Sequence, residues 1–129
     1  MSLIGEASKR SGVGIETIRY YEREGIVPKP GRSPNGRRKY TRNDIANLRF
    51  IKRCRELGFA LQDARALLLI SQGGNVDCGN VLEFGLAQLK DVRTKIEELR
   101  KLEVALEELT SNCRAGSPQC PMLDQIRSA

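Results

Sequence analysis

The sequence predicts a mainly α protein in which a winged helix-turn-helix unit is followed by one long helix. Two short stretches of helical periodicity meet across a glycine turn near the N-terminus. A proline- and glycine-rich stretch with the hairpin-forming pair Asn35-Gly36 comes next. From residue 80 to 109 there is no proline, and apolar residues recur every three or four positions. Each of these features predicts one element of the fold.

The first two predicted helices cover residues 4–11 and 15–24. Gly12 and Gly25 follow them directly, and glycine is the residue that most often closes a helix. The short stretch Val13-Gly14 makes the connection between the two helices. Two short helices across so tight a turn predict a helix-turn-helix.

The second of these helices has an inner and an outer face. Ile15 and Ile18 are predicted to face the core. The opposite arc then carries five polar or aromatic residues: Glu16, Thr17, Arg19, Tyr20 and Arg23. Side chains of these types are what a recognition helix presents to DNA.

Turn formers and cations fill residues 28–40. The pair Asn35-Gly36 favours a tight hairpin, and Arg37-Arg38-Lys39-Tyr40 follows it directly. A short basic hairpin beside a helix-turn-helix is a wing. Its cations can neutralise phosphates, and the Tyr40 hydroxyl can donate to a phosphate oxygen.

Two further helices complete the predicted winged unit. Thr41 and Asp44 have the spacing of a capping box, which predicts a helix over residues 42–57. The apolar stripe of this helix is predicted to be Ile45, Leu48, Ile51 and Leu57. A short, very apolar helix is predicted at residues 61–70, before a linker at residues 72–75.

One amphipathic helix is predicted from about residue 80 to residue 109. Its apolar positions are Leu82, Leu86, Leu89, Val92, Ile96, Leu99, Leu102, Leu106 and Leu109. About 30 residues span roughly 45 Å, which is more than a small domain covers by itself. We therefore expect the apolar row to pair with a second copy in a coiled-coil homodimer. The alternative is a helix that folds back on its own domain.

Charge divides the chain into two halves. Residues 1–60 hold 14 Lys and Arg against 6 Asp and Glu, a net charge of +8. Residues 61–129 hold 8 against 10, a net charge of −2. The basic half predicts binding to nucleic acid, rather than to a membrane, through counterion release, and the alternative is a plain solvated basic surface. A two-fold homodimer would present two wings and two recognition helices to a palindromic site.

Several classes of protein are disfavoured by what the sequence lacks. It has no His, no nucleophile-elbow motif and no phosphate-binding glycine loop, so we do not expect an enzyme. Residues 1–12 lack a secretory signal pattern, and no run approaches 18 apolar residues. We therefore expect a cytoplasmic protein that does not enter a membrane.

Cysteines provide a second candidate site. Cys113 and Cys120 flank a loop rich in turn formers, which can bring two thiolates to one ion. Cys78 lies about 50 Å away along the predicted helix, so it cannot join them within one chain. If the helices of the homodimer run antiparallel, Cys78 of one copy meets Cys113 and Cys120 of the other. Two equivalent sites would then form across the interface.

Thiolate ligands select soft or borderline metal ions. Three thiolates leave a net charge of −1 around Hg(II), Cd(II) or Pb(II), but −2 around Cu(I), which costs more to desolvate. Zn(II) is less favoured because the chain has no imidazole to complete a tetrahedron. Cys54 lies among core positions of the third predicted helix, so we expect a buried, inert thiol there.

Short motifs along the chain carry a resemblance to a known family. Residues 4–7, 16–22, 36–40, 49–51 and 57–59 are similar to the N-terminal part of the MerR family of metal-responsive regulators. The motifs Leu89-Lys90-Asp91-Val92-Arg93 and Cys120-Pro121 resemble the mercury-sensing branch. The motif Asp77-Cys78-Gly79-Asn80-Val81 and the C-x6-C spacing are more similar to cadmium and lead sensors. The resemblance covers essentially the whole chain.

The resemblance implies a function and a set of residues. Together with the wing cation Arg37, the expected DNA contacts are Thr17, Arg19, Tyr20 or Tyr21, Arg32, Arg38 and Tyr40, with Thr17 and Arg32 on phosphates. The expected metal ligands are Cys78, Cys113 and Cys120. The homodimer would repress when metal-free, and the metal-bound form would bend and untwist promoter DNA until RNA polymerase engages it.

The predicted organisation has three parts. Residues 1–74 form the winged helix-turn-helix DNA-binding domain, and residues 75–111 form the antiparallel coiled-coil dimerisation helix. Residues 112–129 form the metal-binding loop and a short C-terminal helix. Two positions depart from the family pattern, because Arg37 stands where an aromatic residue is common and Ala60 where a capping Ser or Thr is common.

Three other functions stay open from the sequence. The first is a thiol redox switch in which Cys113 and Cys120 form a disulfide. The second is a regulator that senses Cu(I). The third is a metal-buffering protein whose DNA binding is incidental.

Overall fold

The computed structural model describes residues 2–32, 34–73 and 77–128. These residues form the helices α1 (Ile4–Ser11), α2 (Ile15–Arg23), α3 (Arg42–Glu56), α4 (Leu61–Ser71), α5 (Cys78–Arg114) and α6 (Pro121–Ser128). The chain divides into two compact units, an N-terminal unit (Met1–Val76) and a C-terminal unit (Asp77–Ala129). The mainly α fold class is confirmed. No helix in the described ranges has both the length and the apolar character needed to cross a membrane.

Helices α1 and α2 form the predicted helix-turn-helix. Gly12 has a φ of +77°, and its N–H donates to the Ser8 carbonyl oxygen at 2.9 Å, which closes α1. The Ser8 hydroxyl then donates to the Val13 carbonyl oxygen at 2.7 Å and stabilises the turn. Ile18 is buried as predicted, whereas Ile15 is 36% exposed because it is the first residue of α2 and lies at the edge of the packed face.

A wing follows α2 at residues 28–40. In the described part of the wing no regular strand forms, and two isolated antiparallel bridges hold it instead, Ser2 with Tyr40 and Arg32 with Arg38. The predicted tight turn is confirmed, since Gly36 adopts a φ of +83° that glycine favours. Ser33, which belongs to the predicted turn-forming stretch, lies outside the described residues.

Helix α3 is central to the N-terminal unit. The Thr41 hydroxyl accepts from the Asp44 N–H at 3.1 Å and the Asp44 carboxylate accepts from the Thr41 N–H at 2.9 Å, so the capping box is confirmed. The buried apolar residues form one cluster: Ala7, Val13, Ile18, Tyr21, Ile26, Val27, Tyr40, Ile45, Leu48, Ile51, Cys54, Ala64 and Leu68. The prediction for Leu57 was wrong. It is 69% exposed because it follows the last turn of α3 as the C-cap residue.

Helix α4 packs against α3, and side-chain hydrogen bonds hold its middle and its C-terminal end. The Arg65 Nε donates to the Gly25 carbonyl oxygen at 2.9 Å, and the Gln72 amide donates to Asn47 Oδ1 at 3.0 Å. The N-cap residue Ala60 makes no side-chain hydrogen bond. Part of the predicted linker, residues 74–75, lies outside the described residues.

The C-terminal unit consists of α5 and the shorter α6 packed against it. Helix α5 has 37 residues and extends beyond the predicted helix at both ends. Asp77 caps it by accepting from the Gly79 N–H at 3.2 Å. Ala105 is the one fully buried residue of α5. The larger apolar residues are exposed along its length: Leu82, Leu86, Leu89, Ile96, Leu99, Leu102, Val104 and Leu106.

Candidate nucleic-acid interface and thiol sites

The outer face of α2 presents three of the predicted DNA contacts. Thr17, Arg19 and Tyr20 are exposed. Arg19 pairs with Glu16 at 2.8 Å, but both side chains are more than half exposed. Such a surface pair contributes little to stability, so Arg19 can exchange it for a phosphate or a base edge. The Arg23 guanidinium lies 5.6 Å from the centre of the Tyr20 ring and adds a cation to the same face.

The adjacent tyrosines of α2 occupy different environments. Tyr20 is 42% exposed, whereas Tyr21 is 9% exposed and belongs to the core cluster. The sequence left either tyrosine open as a DNA contact. The structure places Tyr20 on the outer face, and it places Tyr21 where its ring supports α2 from inside.

Polar groups of the wing stabilise its own turn. The Arg32 Nη1 donates to the Gly36 carbonyl oxygen at 3.1 Å, and Asn35 Oδ1 accepts from the Arg37 N–H at 3.3 Å. The side chains of Arg32 and Arg37 are exposed. Both guanidinium groups can therefore reach a phosphate backbone, as the prediction requires.

A buried carboxylate joins α2 to the wing. Glu22 is 4% exposed, and its two oxygens have different partners. Oε1 lies 3.2 Å from Arg38 Nε, and Oε2 accepts from the Tyr40 hydroxyl at 2.6 Å. The Arg38 side chain is 28% exposed, so part of it still reaches the surface.

The structure places Tyr40 differently from the prediction. Its side chain is buried, and its hydroxyl is directed at Glu22 rather than outward to a phosphate. Burial raises the pKa of Tyr40 above its ordinary value, and the hydrogen bond to Glu22 and the negative charge of that carboxylate raise it further. Sequence reasoning missed Glu22 as well. In the sequence, Glu22 lies four residues after the core residue Ile18, and this spacing places it on the buried face of α2.

A short hydrogen-bonded loop joins α5 to α6 and carries two predicted metal ligands. The Asn112 amide donates to the Gln119 carbonyl oxygen across this loop at 2.6 Å. Cys113 is exposed, whereas Cys120 is buried and its thiol donates to the Ala105 carbonyl oxygen at 3.1 Å. Ala105 precedes Cys113 by eight residues, about 12 Å along the helix axis. The loop thus brings both cysteines to one end of α5, but it holds the Cys120 thiol away from Cys113.

The third predicted ligand lies at the opposite end of α5. Cys78 is the first residue of this helix and is exposed. One uninterrupted helix separates it from Cys113 by 35 residues, or about 52 Å. Across the described ranges, no three Cys, Asp or Glu side chains come close enough together to hold an ion. A single chain does not bring the three predicted ligands together.

Cys54 behaves as the sequence predicts. Its side chain is buried in the core cluster of the N-terminal unit. Burial raises the pKa of the thiol, because the charged thiolate is poorly solvated there. This disfavours the form that binds metals or attacks disulfides.

Two family models match the chain. The model described as MerR HTH family regulatory protein matches residues 3–69, and the model described as MerR, DNA binding matches residues 45–109. The first match spans the helix-turn-helix, the wing, α3 and most of α4. The second begins within α3 and continues through α4 and most of α5.

Relatives and solved structures resemble the chain over nearly its whole length. The mercuric resistance operon regulatory protein of Bacillus cereus is 36% identical over 125 residues, which is 95% of each chain. The transcription regulator PbrR691 from Ralstonia metallidurans CH34, solved in complex with lead(II), has a TM-score of 0.60 and 37% identity, and the match covers 98% of this chain and 99% of that one. HiNmlR, a MerR family regulator lacking the sensor domain and bound to promoter DNA, has a TM-score of 0.64 and 25% identity, with 94% and 97% covered.

Proposed function

Because the chain belongs to the MerR HTH family of regulatory proteins, we propose that it is a transcription regulator whose homodimer binds promoter DNA and responds to a soft divalent metal ion. The single observation that carries the metal response is the placement of three cysteines at the two ends of α5. A mercury-resistance regulator and a lead-bound regulator among the similar proteins support the choice of ion class.

DNA binding is assigned to α2 and the wing. The proposed direct contacts are the exposed residues Thr17, Arg19, Tyr20, Arg32 and Arg37, with the half-buried Arg38 beside them. They combine groups that read base edges with cations that bind phosphates. Tyr21 and Tyr40 support this surface from the core. The family model for MerR DNA binding and the promoter-bound structural neighbour support the assignment.

The homodimer is proposed from the exposed apolar row of α5. Leu82, Leu86, Leu89, Ile96, Leu99, Leu102 and Leu106 all lie open to solvent in the single chain. A second copy of the same helix covers such a row with the same periodicity. We propose an antiparallel pairing, because it puts the Cys78 end of one α5 beside the Cys113 end of the other.

The proposed metal site takes Cys78 from one protomer and Cys113 with Cys120 from its partner. Three thiolates suit Hg(II), Cd(II) or Pb(II), and Zn(II) fits less well without an imidazole. Cys120 must lose its proton to become a ligand, and it then no longer donates to the Ala105 carbonyl. Metal binding is therefore coupled to the packing of the loop against α5.

Ligands from both protomers give the ion a way to act on DNA. An ion that binds one dimer shape more tightly than another shifts the population towards that shape. We propose that the metal-free dimer represses and that the metal-bound dimer bends and untwists the promoter until RNA polymerase engages it. The free energy for this distortion comes from the difference in metal affinity between the two shapes.

A mixing experiment tests the site between protomers. A Cys78→Ser chain is unfolded and refolded together with a chain that carries both Cys113→Ser and Cys120→Ser, and metal binding is followed by thiolate-to-metal absorbance. Neither chain alone should bind at the wild-type level, but mixed dimers should recover binding because each contains one complete site. Cys54→Ser is the matched control and should bind like wild type. A mixture that recovers nothing would contradict a shared site.

The identity of the ion and the nature of the signal need a second measurement. Reduced protein is titrated with Hg(II), Cd(II), Pb(II), Zn(II) and Cu(I), free and bound to a duplex that it has selected from random-sequence DNA. A divalent ion that binds two per dimer and changes the bend of the duplex is the expected result. A change of bend caused by an oxidant, and retained in Cys78→Ser, would favour the redox switch instead.

A further inference from the structure

The two parts of the proposed DNA surface are connected through one side chain. Glu22 belongs to the recognition helix α2, whereas Arg38 and Tyr40 both belong to the wing. Isolated backbone bridges and the buried Tyr40 ring also contribute to the orientation of the wing. A carboxylate that binds two wing side chains at 3.2 and 2.6 Å fixes that orientation relative to α2.

The geometry of the Arg38 contact leaves the outer end of its guanidinium available. Glu22 lies against Nε, which carries one of the five N–H donors of an arginine. The other four donors are on the two terminal nitrogens. The planar guanidinium can therefore bind Glu22 with one edge and phosphate oxygens with another.

Burial makes the Glu22–Arg38 pair persistent. A carboxylate that is 4% exposed is costly unless a cation and hydrogen bonds compensate it. Tyr40 supplies one hydrogen bond, and Arg38 supplies the positive charge. The side chain of Arg38 is thus held in place before DNA arrives, so less conformational freedom is lost on binding.

We propose that Glu22 is a positioning residue for DNA binding, which acts by aiming the terminal nitrogens of Arg38 at the phosphate backbone beside the recognition helix. Glu22 itself does not touch DNA. The wing and α2 then bind as one rigid body whose spacing is set by the Glu22 contacts. This inference rests on the proposed DNA-binding function and names a residue through which it works.

The test measures how many phosphates each variant neutralises. The probe is a duplex that the wild-type protein enriches from a random-sequence pool, and its binding constant is measured over a series of salt concentrations. Glu22→Ala should make the plot of log K against log salt shallower by about 0.9 per protomer, because one phosphate contact is lost. Arg38→Ala should have the same effect, and the double variant should match Arg38→Ala alone.

Two further variants keep the test decisive. Arg38→Lys preserves the charge, but its compact ammonium cannot hold Glu22 with one nitrogen and a phosphate with another, so its plot should also become shallower. Arg37→Ala is the matched control, since Arg37 has an exposed side chain on the same wing. The decrease in slope that Arg37→Ala causes should add to the decrease that Glu22→Ala causes.

The outcomes separate this inference from the function on which it rests. A wild-type salt dependence in Glu22→Ala, or a double variant shallower than Arg38→Ala, would overturn the positioning role. If circular dichroism indicates that Glu22→Ala does not fold, Arg38→Lys decides, and a wild-type slope in that variant overturns the inference. A wild-type protein that enriches no sequence from the pool would instead remove the DNA-binding proposal itself.

Discussion

The N-terminal and C-terminal units differ in how much of their apolar surface they bury within one chain. Helices α1 to α4 and the wing enclose one cluster of buried apolar residues. Helix α5 is more than twice as long as α3, yet it buries only Ala105. The first unit is explained by contacts within one chain. The C-terminal unit exposes a long row of apolar side chains, which is typical of an interface, because a helix rarely exposes so many leucines without a partner.

The largest predicted effect is on self-association through the C-terminal unit, and the fold of the N-terminal unit should stay unchanged. If Cys78 meets Cys113 of the partner, antiparallel helices cross midway between these two residues, near Ile96. Leu99 lies one turn further along the same apolar row and is 63% exposed in one chain. Leu99→Lys should weaken self-association by about 3–6 kcal/mol, because a leucine worth about 1.5–3 kcal/mol is lost from each of two protomers. Sedimentation velocity over a range of protein concentrations measures the change.

A substitution on another face of α5 provides the control. Val104 is 47% exposed and lies five residues after Leu99, about 140° around the helix. Val104→Lys therefore places the same charge on the same helix but away from the apolar row. It should leave self-association nearly unchanged. Equal effects of the two variants would contradict the proposed interface.

Local signals predicted most of the fold from the sequence. Gly12 and the Thr41–Asp44 capping box act within a few residues, and both determine helix ends as expected. The ends of α5 were underestimated, because the prediction followed apolar periodicity and that periodicity stops at Leu109. The backbone continues as a helix to Arg114, since helical hydrogen bonds do not require apolar side chains.

The second prediction concerns the carboxylate that holds the wing. Tyr40→Phe should lower the free energy of unfolding by about 1.5–3 kcal/mol, the usual contribution of a hydrogen bond to a charged group. Burial raises the pKa of Tyr40 above its ordinary value of 10.0, so its stabilising contribution is complete below about pH 10 and decreases above it. The wild-type protein should therefore lose stability in alkaline solution more steeply than Tyr40→Phe. Urea unfolding at fixed protein concentration, repeated at several pH values, measures both effects.

An exposed tyrosine supplies the control for Tyr40. Tyr20 lies on the outer face of α2, so Tyr20→Phe should change the unfolding free energy by less than about 0.5 kcal/mol. It should also leave the alkaline decrease unaltered. Identical pH dependence in wild type and Tyr40→Phe would contradict the role assigned to the buried hydroxyl.

The candidate sites were less predictable than the fold, and the reason is distance along the chain. Residue types and motifs identified Arg38 and Tyr40 on the wing. Their common partner Glu22 lies 18 residues before Tyr40, so only the packing of the wing on α2 reveals it. Cys120 is similar, because its contact with Ala105 depends on the fold of the loop. The spacing of Glu22 from Ile18 indicates that Glu22 is buried, but patterns of neighbouring residues do not identify the partners of Glu22 or Cys120.

The smallest predicted effect concerns the N-terminal capping of the helices, which differs between α4 and the helices α3 and α5. Thr41 caps α3 and Asp77 caps α5, whereas Ala60 at the start of α4 has an extended backbone but no acceptor. Ala60→Ser should stabilise the N-terminal unit by about 0.5–1 kcal/mol, because the new hydroxyl can accept from the Asp63 N–H as Thr41 accepts from that of Asp44. Ala60→Val, which adds no acceptor, should give no such gain in urea unfolding at the same protein concentration. A gain from valine equal to that from serine would mean that packing, and not capping, limits the start of α4.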